Sequence, residues 1–240
     1  MKTLSRHLGR KRCSPYIQTP DVFVCIFAGD PSTLTVTMED FLAPIARFLT
    51  AGDHDRTLEA VEAMVAVWPG PMRYIDDWMW RNEFVKHVGW SVPCHAAIQA
   101  IISISKNRTM LSIGTGLGCW EFLLSCYDVH IVASDVEVPV FKFFKGTYDT
   151  MDASEAVQTH PEADVLFINW PRDFATAAVS RFKGTYVVSV GEINGCTGNV
   201  GLELEESEAW ELETHVEIPC WSGFHDDLRI YKRVVGQPSM

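Results

Sequence analysis

Thr109-Met-Leu-Ser-Ile-Gly-Thr-Gly-Leu-Gly118, with Val129-His-Ile-Val-Ala-Ser-Asp135 shortly after it, decides the reading of this chain. In order they give an apolar strand, a glycine turn, a helix over residues 119–126, a second apolar strand and a terminal acid. That succession is the front end of a nucleotide-binding βαβ unit. Glycine lets the backbone bend sharply and approach a ligand with no Cβ in the way. An acid at the tip of the second strand stands where it can accept hydrogen bonds from a ribose diol.

The glycine spacing separates one kind of nucleotide ligand from another. A dinucleotide fingerprint, Gly-x-Gly-x-x-Gly, would put its third glycine at position 119, which is Cys119. The chain instead has Gly114-x-Gly116-x-Gly118. This pattern resembles the first motif of class I S-adenosylmethionine-dependent methyltransferases, whose loop lies under the methionine part of the cofactor. The resemblance implies that Gly114, Thr115, Gly116 and Gly118 set the loop against that end of the cofactor, and that Asp135 holds the ribose hydroxyls. One position departs from the family pattern: the acid usual two residues before the first glycine is Ser112 here. A serine still hydrogen-bonds, but it brings no charge toward the cofactor's ammonium. The plainer alternative for the cluster is a tight structural turn with no ligand.

Downstream, apolar runs at 164–169 and 184–190 have the continuity of strands covered on both faces of a parallel sheet. A weaker strand is expected over 146–151, and helices over 153–160 and 174–182. Residues 202–210 read as an acidic helix, and 211–219 and 227–234 as two extended runs. A closing antiparallel hairpin after a string of βα units looks like the sixth and seventh strands of the class I methyltransferase sheet, so the resemblance spans roughly residues 90–234. Upstream, 37–67 has helical apolar spacing and Pro69-Gly-Pro71 ends it. Tyr74, Trp78, Trp80, Phe84 and Trp90 then crowd one segment. Those rings either line a cap over the cofactor or pack the N-terminal helices on the sheet.

The expected fold is α/β: a Rossmann-like seven-stranded sheet, mostly parallel with a C-terminal antiparallel hairpin, helices on both faces, and an N-terminal helical extension. Three regions are expected: a basic arm over 1–35, a helical and aromatic-rich cap over 36–90, and a cofactor-binding domain over 91–240.

Asn169-Trp-Pro-Arg172, at the exit of the fourth strand, is similar to the Asn-Pro-Pro-aromatic motif of amino-group methyltransferases. The resemblance implies that Asn169 accepts from a planar NH2 and that Trp170 offers a stacking surface, with an aromatic standing in place of the first proline. A turn-forming asparagine and a packed tryptophan are the alternatives. Glu192 ends the fifth strand on the ligand side of the sheet, as a group to accept a proton or orient an amine, or as a solvent-exposed acid. Asp152 is the nearest match to the family's adenine-binding acid, and on local grounds it is the N-cap of the helix that follows. His225-Asp226-Asp227 reads as a solvated turn rather than as metal ligands.

Composition bounds the partners. A net charge of −11 gives no broad basic face for duplex nucleic acid, so the methyl acceptor is expected to be a small molecule or a protein. Seven cysteines without a Cys-x-x-Cys pair argue for reduced thiols in the cytoplasm and against a zinc site. No run approaches the ~20 apolar residues of a membrane span. The expectation is an S-adenosylmethionine-dependent methyltransferase with S-adenosylmethionine as cofactor. Transfer to nitrogen is favoured, because an oxygen acceptor would want a stronger base or a metal. The alternatives are an S-adenosylmethionine-binding protein without turnover in a regulatory or scaffold role, a nicotinamide-dependent oxidoreductase, against which Cys119 speaks, and an interaction module built on the aromatic N-terminal segment.

Overall fold

The structure, a computed structural model, describes residues 78–140, 142–221 and 223–234, apart from the side chains of residues 78–80, 83, 87 and 95. The arm expected over 1–35, the helices expected over 37–67 and Tyr74 lie outside these residues.

Helices α1 (Trp78–His87) and α2 (His95–Ser105) precede β1 (Thr109–Ile113). Next come α3 (Cys119–Ser125), β2 (His130–Asp135), β3 (Thr147–Thr150), α4 (Ala153–Thr159) and β4 (Val165–Asn169). The chain continues through α5 (Phe174–Arg181), β5 (Tyr186–Gly191) and α6 (Val200–Glu206) to the hairpin of β6 (Trp210–Glu217) and β7 (Asp227–Arg233). The strands form one seven-stranded sheet in the order β3-β2-β1-β4-β5-β7-β6. The first five in that order run parallel. β7 then lies antiparallel to β5, and β6 antiparallel to β7. This is the α/β, Rossmann-like sheet expected from the sequence, closing hairpin included.

Successive residues of a strand point to opposite faces of the sheet, and both faces here are apolar. Met110, Ile131, Val165 and Phe167 pack with Ile98 and Ile101 of α2 and Trp120 and Leu124 of α3. Leu111, Ile113, Val132 and Leu166 pack with Ala156 of α4 and Ala175 and Ala178 of α5. Helix α2 shows why such a segment docks. Ala97, Ile98, Ile101 and Ile104 are buried at helical spacing, while Gln99 and Ser103 are exposed. Burying an isoleucine fully stabilises by about 1.5–3 kcal/mol. The helix ends where Asn107 takes a φ of 59°, a left-handed conformation that asparagine tolerates better than most residues.

The acidic helix expected over 202–210 is a correction: α6 stops at Glu206, and Trp210 opens β6. The acids favour a helix locally, but the Trp210 ring is buried beneath the Arg233 guanidinium, 4.1 Å from its centroid, and that packing holds the residue in the hairpin. Glu211, Glu213 and Glu217 lie exposed on this edge strand, where charge discourages pairing with another chain. No helix among the described residues is long and apolar enough to cross a membrane.

From β1 the chain builds outward through β2 to β3, then crosses back to β4 on the other side of β1. The reversal opens a crevice at the carboxyl ends of β1, β2 and β4, where open α/β sheets bind ligands. Gly114, Asp135 and Asn169 stand at those three ends.

Candidate functional site

The turn after β1 is left-handed at every glycine, with φ of 64° at Gly114, 57° at Gly116 and 71° at Gly118. The three positions differ in what a side chain would meet. A Cβ on Gly114 would come within 2.7 Å of the Phe174 ring, and one on Gly118 within 2.9 Å of Phe144 Cβ. A Cβ on Gly116 would meet nothing within 4 Å. Two glycines thus admit close packing, and the middle one faces open space in the cleft.

The loop is tied down from several sides. The Gly116 amide donates to Asp135 Oδ2 at 2.8 Å, and the Tyr148 hydroxyl donates to the Gly116 carbonyl at 3.0 Å. Thr115 Oγ1 lies 3.0 Å from Ser112 Oγ, and it accepts from the Ser134 amide at 3.3 Å. Asp135 therefore fixes the loop as well as facing the cleft. Thr115, expected against the cofactor, also bridges the ends of β1 and β2.

A cleft of about 190 Å³ lies against this loop. That is below the ~300–1,000 Å³ of a complete small-molecule pocket, so a ligand of nucleoside size would extend beyond it. Gly114, Thr115, Gly116, Gly118, Asp135 and Asn169 all line it, as do Trp90 and Glu121. Glu121 is the residue that sequence reasoning missed. It sits in the first turn of α3, is 2% exposed, and accepts from the Ser112 hydroxyl at 2.5 Å. Burial pushes its carboxyl up to about 7; the Ser112 hydrogen bond opposes the rise, and the Asp135 charge adds to it. The signal was an acid shortly after a glycine turn that lacked its usual acid at 112. Only the packing of α3 over β1 brings the two residues together.

The Asn169-Trp170 turn is engaged from within the chain. Trp120 Nε1 donates to Ser91 Oγ at 3.0 Å, and the Ser91 hydroxyl donates to Asn169 Oδ1 at 2.6 Å. This relay fixes which end of the Asn169 carboxamide faces Ser91 and leaves one lone pair of Oδ1 for another donor. The Trp170 ring stacks on Trp90, with centroids 4.9 Å apart and 20° between planes. Trp170 is 7% exposed and does not line the cleft, whereas Trp90 does and is 40% exposed. Of the aromatic segment ahead of the core, Phe84 packs inside against Trp221, as the packing reading expects, and Trp90 lines the cleft. Trp170 also has a φ of 53°, which costs an L-residue about 1–2 kcal/mol. Its buried ring and a 3.1 Å bond from Nε1 to Asp226 Oδ1 hold it there.

Asp226 corrects another expectation. Its neighbour His225 is exposed, but Asp226 itself is 2% exposed and bonded to the Trp170 indole, and burial raises its carboxyl to about 7. Glu192 does not line the cleft; its carboxylate accepts from the backbone amides of Cys196 and His225 at 2.8 and 3.0 Å and so clasps two loops. Asp152 also lies outside the cleft lining, and its side chain caps α4 by accepting from the Glu155 amide.

No protein-family model matches the chain, and no curated protein does. Solved structures do resemble it. A 1,6-didemethyltoxoflavin-N1-methyltransferase from Burkholderia thailandensis, seen with 1,6-didemethyltoxoflavin and S-adenosylhomocysteine, is 12% identical over 58% of this chain and 79% of its own, with a TM-score of 0.43. A SAM dependent methyltransferase from Archaeoglobus fulgidus is 17% identical over 57% of this chain and 92% of its own, with a TM-score of 0.40. A Thermoplasma acidophilum protein is 18% identical over 59% of this chain and 85% of its own, with a TM-score of 0.42. Likenesses this distant leave function to be argued from the residues of the cleft.

Proposed function

We propose that this chain binds S-adenosylmethionine in the cleft and transfers its methyl group to a nitrogen atom of a small molecule or protein. The observation that carries this reading is the set of groups lining the cleft. Two carboxylates (Glu121 and Asp135), the Asn169 carboxamide and the backbone of the glycine turn are there, and no Lys or Arg is among the described lining residues. A pyrophosphate seeks free N–H groups at a helix N-terminus and cationic side chains. Here the first turn of α3 carries Glu121 instead. A cationic nucleoside suits that set, and a nicotinamide dinucleotide does not.

S-adenosylmethionine, when bound, supplies a methyl group already activated by its sulfonium. The chain's own task is then alignment, which is worth up to ~7–11 kcal/mol of barrier when reacting groups are held at near-attack distance. Asp135 accepts from the ribose hydroxyls with the lone pairs left over by the Gly116 amide on Oδ2 and the Glu137 amide on Oδ1, and the Gly116 bond keeps the loop in place. Asn169 Oδ1 uses its remaining lone pair to accept an N–H of the acceptor, orienting the nitrogen. Free thiols at Cys94, Cys119 and Cys196 suit the reducing cytoplasm we propose for the protein.

Thermal unfolding with S-adenosylmethionine, S-adenosylhomocysteine and NAD tests the cofactor. A ligand at ~100 times its dissociation constant stabilises by about 2.7 kcal/mol. Stabilisation by the two adenosyl-sulfur compounds alone, lost in Asp135→Ala, is expected. Stabilisation by NAD alone would overturn the reading.

A second reading, cofactor binding without turnover, draws on the closed acceptor motif: Ser91 already donates to Asn169, and Trp90 covers Trp170. Methylated product from any acceptor would exclude it.

A further inference from the structure

The cleft holds a buried acid that meets the glycine turn only through the Ser112 hydroxyl, on which Thr115 in turn rests. Ser112 lies at the end of β1 on the sheet face that α3 covers, and Glu121 reaches down from α3 to meet it. The Glu121 carboxylate has the Ser112 hydroxyl and its own backbone amide as partners. Two neutral donors do not compensate a charge withdrawn from water. The other groups around it supply no cation either. Asp135 at the end of β2 is an acid, Tyr148 on β3 and Cys119 on α3 are neutral near pH 7, Asn169 on β4 is an amide, and Val85 and Val88 on the α1 side are apolar.

We propose that Glu121 is the residue that binds the ammonium of the ligand's amino-acid end, supplying from α3 the negative charge that position 112 lacks. This rests on the S-adenosylmethionine reading and goes beyond it, by placing the cationic end of the ligand at the α3 wall and by coupling binding to a proton. With its carboxyl near 7 in the ligand-free protein, Glu121 is partly protonated at neutral pH. A cation entering beside it favours the ionised form, so the carboxyl proton leaves to solvent as the ligand binds. Affinity for an ammonium-bearing ligand then falls as pH drops below about 7, by up to tenfold per pH unit.

The experiment is calorimetric titration of the full chain and of Glu121→Gln with two probes, S-adenosylhomocysteine and 5′-methylthioadenosine. The second keeps the adenosine and the sulfur but has no amino-acid end. Glutamine keeps an acceptor for the Ser112 hydroxyl, and thermal unfolding in the same buffers confirms that the variant folds. Glu121→Gln is expected to weaken S-adenosylhomocysteine about 10- to 100-fold, the usual worth of a hydrogen bond to a charged group. It is expected to leave 5′-methylthioadenosine within about twofold and to abolish both the proton release and the pH dependence between pH 6 and 7.5. Equal weakening of both probes would make Glu121 only an anchor of the loop and overturn the proposal, as would no weakening of either. Failure of the unmodified chain to bind either probe would overturn the cofactor reading itself, and this inference with it.

Discussion

Gly118→Ala is expected to cost about 2–5 kcal/mol of folding stability, whereas Gly116→Ala, two residues away, costs about 1–2 kcal/mol and abolishes ligand binding. Both positions are left-handed, and an L-residue there loses about 1–2 kcal/mol. At Gly118 the new methyl also lies 2.9 Å from Phe144 Cβ and 3.4 Å from the Phe144 amide nitrogen. A Cβ and a backbone atom cannot swing aside as a ring tip can, and overpacking of this kind adds about 1–3 kcal/mol. At Gly116 the methyl meets no protein atom within 4 Å, because it enters the cleft where the ligand would lie. Urea unfolding of the two variants, paired with S-adenosylhomocysteine titration of each, separates the roles. A Gly116→Ala protein that bound normally would mean that the ligand does not lie over the turn.

Glu121→Gln, which should lose affinity, is expected at the same time to make the ligand-free protein more stable at pH 8, by about 3 kcal/mol, and to change little at pH 5. The carboxyl titrates near 7 when folded and near 4.5 when unfolded. Below 4.5 both states hold the proton and no charge is buried. Between the two values the unfolded chain ionises first, so stability falls as pH rises. Above 7 the cost is constant, at about 1.4 kcal/mol for each pH unit between the two titrations. Glutamine removes that cost and keeps the Ser112 bond. A slope in the same direction, from Asp226 beneath Trp170, remains in the variant. Denaturant unfolding at pH 5 and pH 8 checks this, and an equal difference at both would mean that Glu121 is not protonated in the folded state. A substitution that stabilises the fold while weakening binding is what a group kept for its ligand should show.

The strands were legible because β1, β2, β4 and β5 are covered on both faces, so each carries a run of consecutive apolar residues at its centre, Met110-Leu111, Ile131-Val132-Ala133, Val165 to Ile168 and Tyr186-Val187-Val188. The glycine turn was legible for a related reason: three left-handed residues in five leave few alternatives to glycine. Reading failed where a residue's role is set by a partner far along the chain. Trp210 joined a strand because Arg233 stacks on it, and Asp226 left solvent because the Trp170 indole, 56 residues away, donates to it. Glu121 reads as an ordinary first-turn acid until α3 lies over β1. Asn169 was found by its place at a strand end, but the Trp120–Ser91 relay that orients it spans three separate elements and leaves no local mark.

The dipeptide Trp90-Ser91 meets Asn169-Trp170 with its members crossed, indole on indole and hydroxyl on carboxamide. Neither half can vary alone. A smaller ring at 90 uncovers one face of an indole that Asp226 and Phe224 then hold alone, and losing the hydroxyl at 91 frees the carboxamide to flip. The two dipeptides are therefore expected to behave as a single inherited trait written at two places in the gene. Lineages that change one should have changed the other, and those that retain Trp-Ser at the first should retain Asn-Trp at the second.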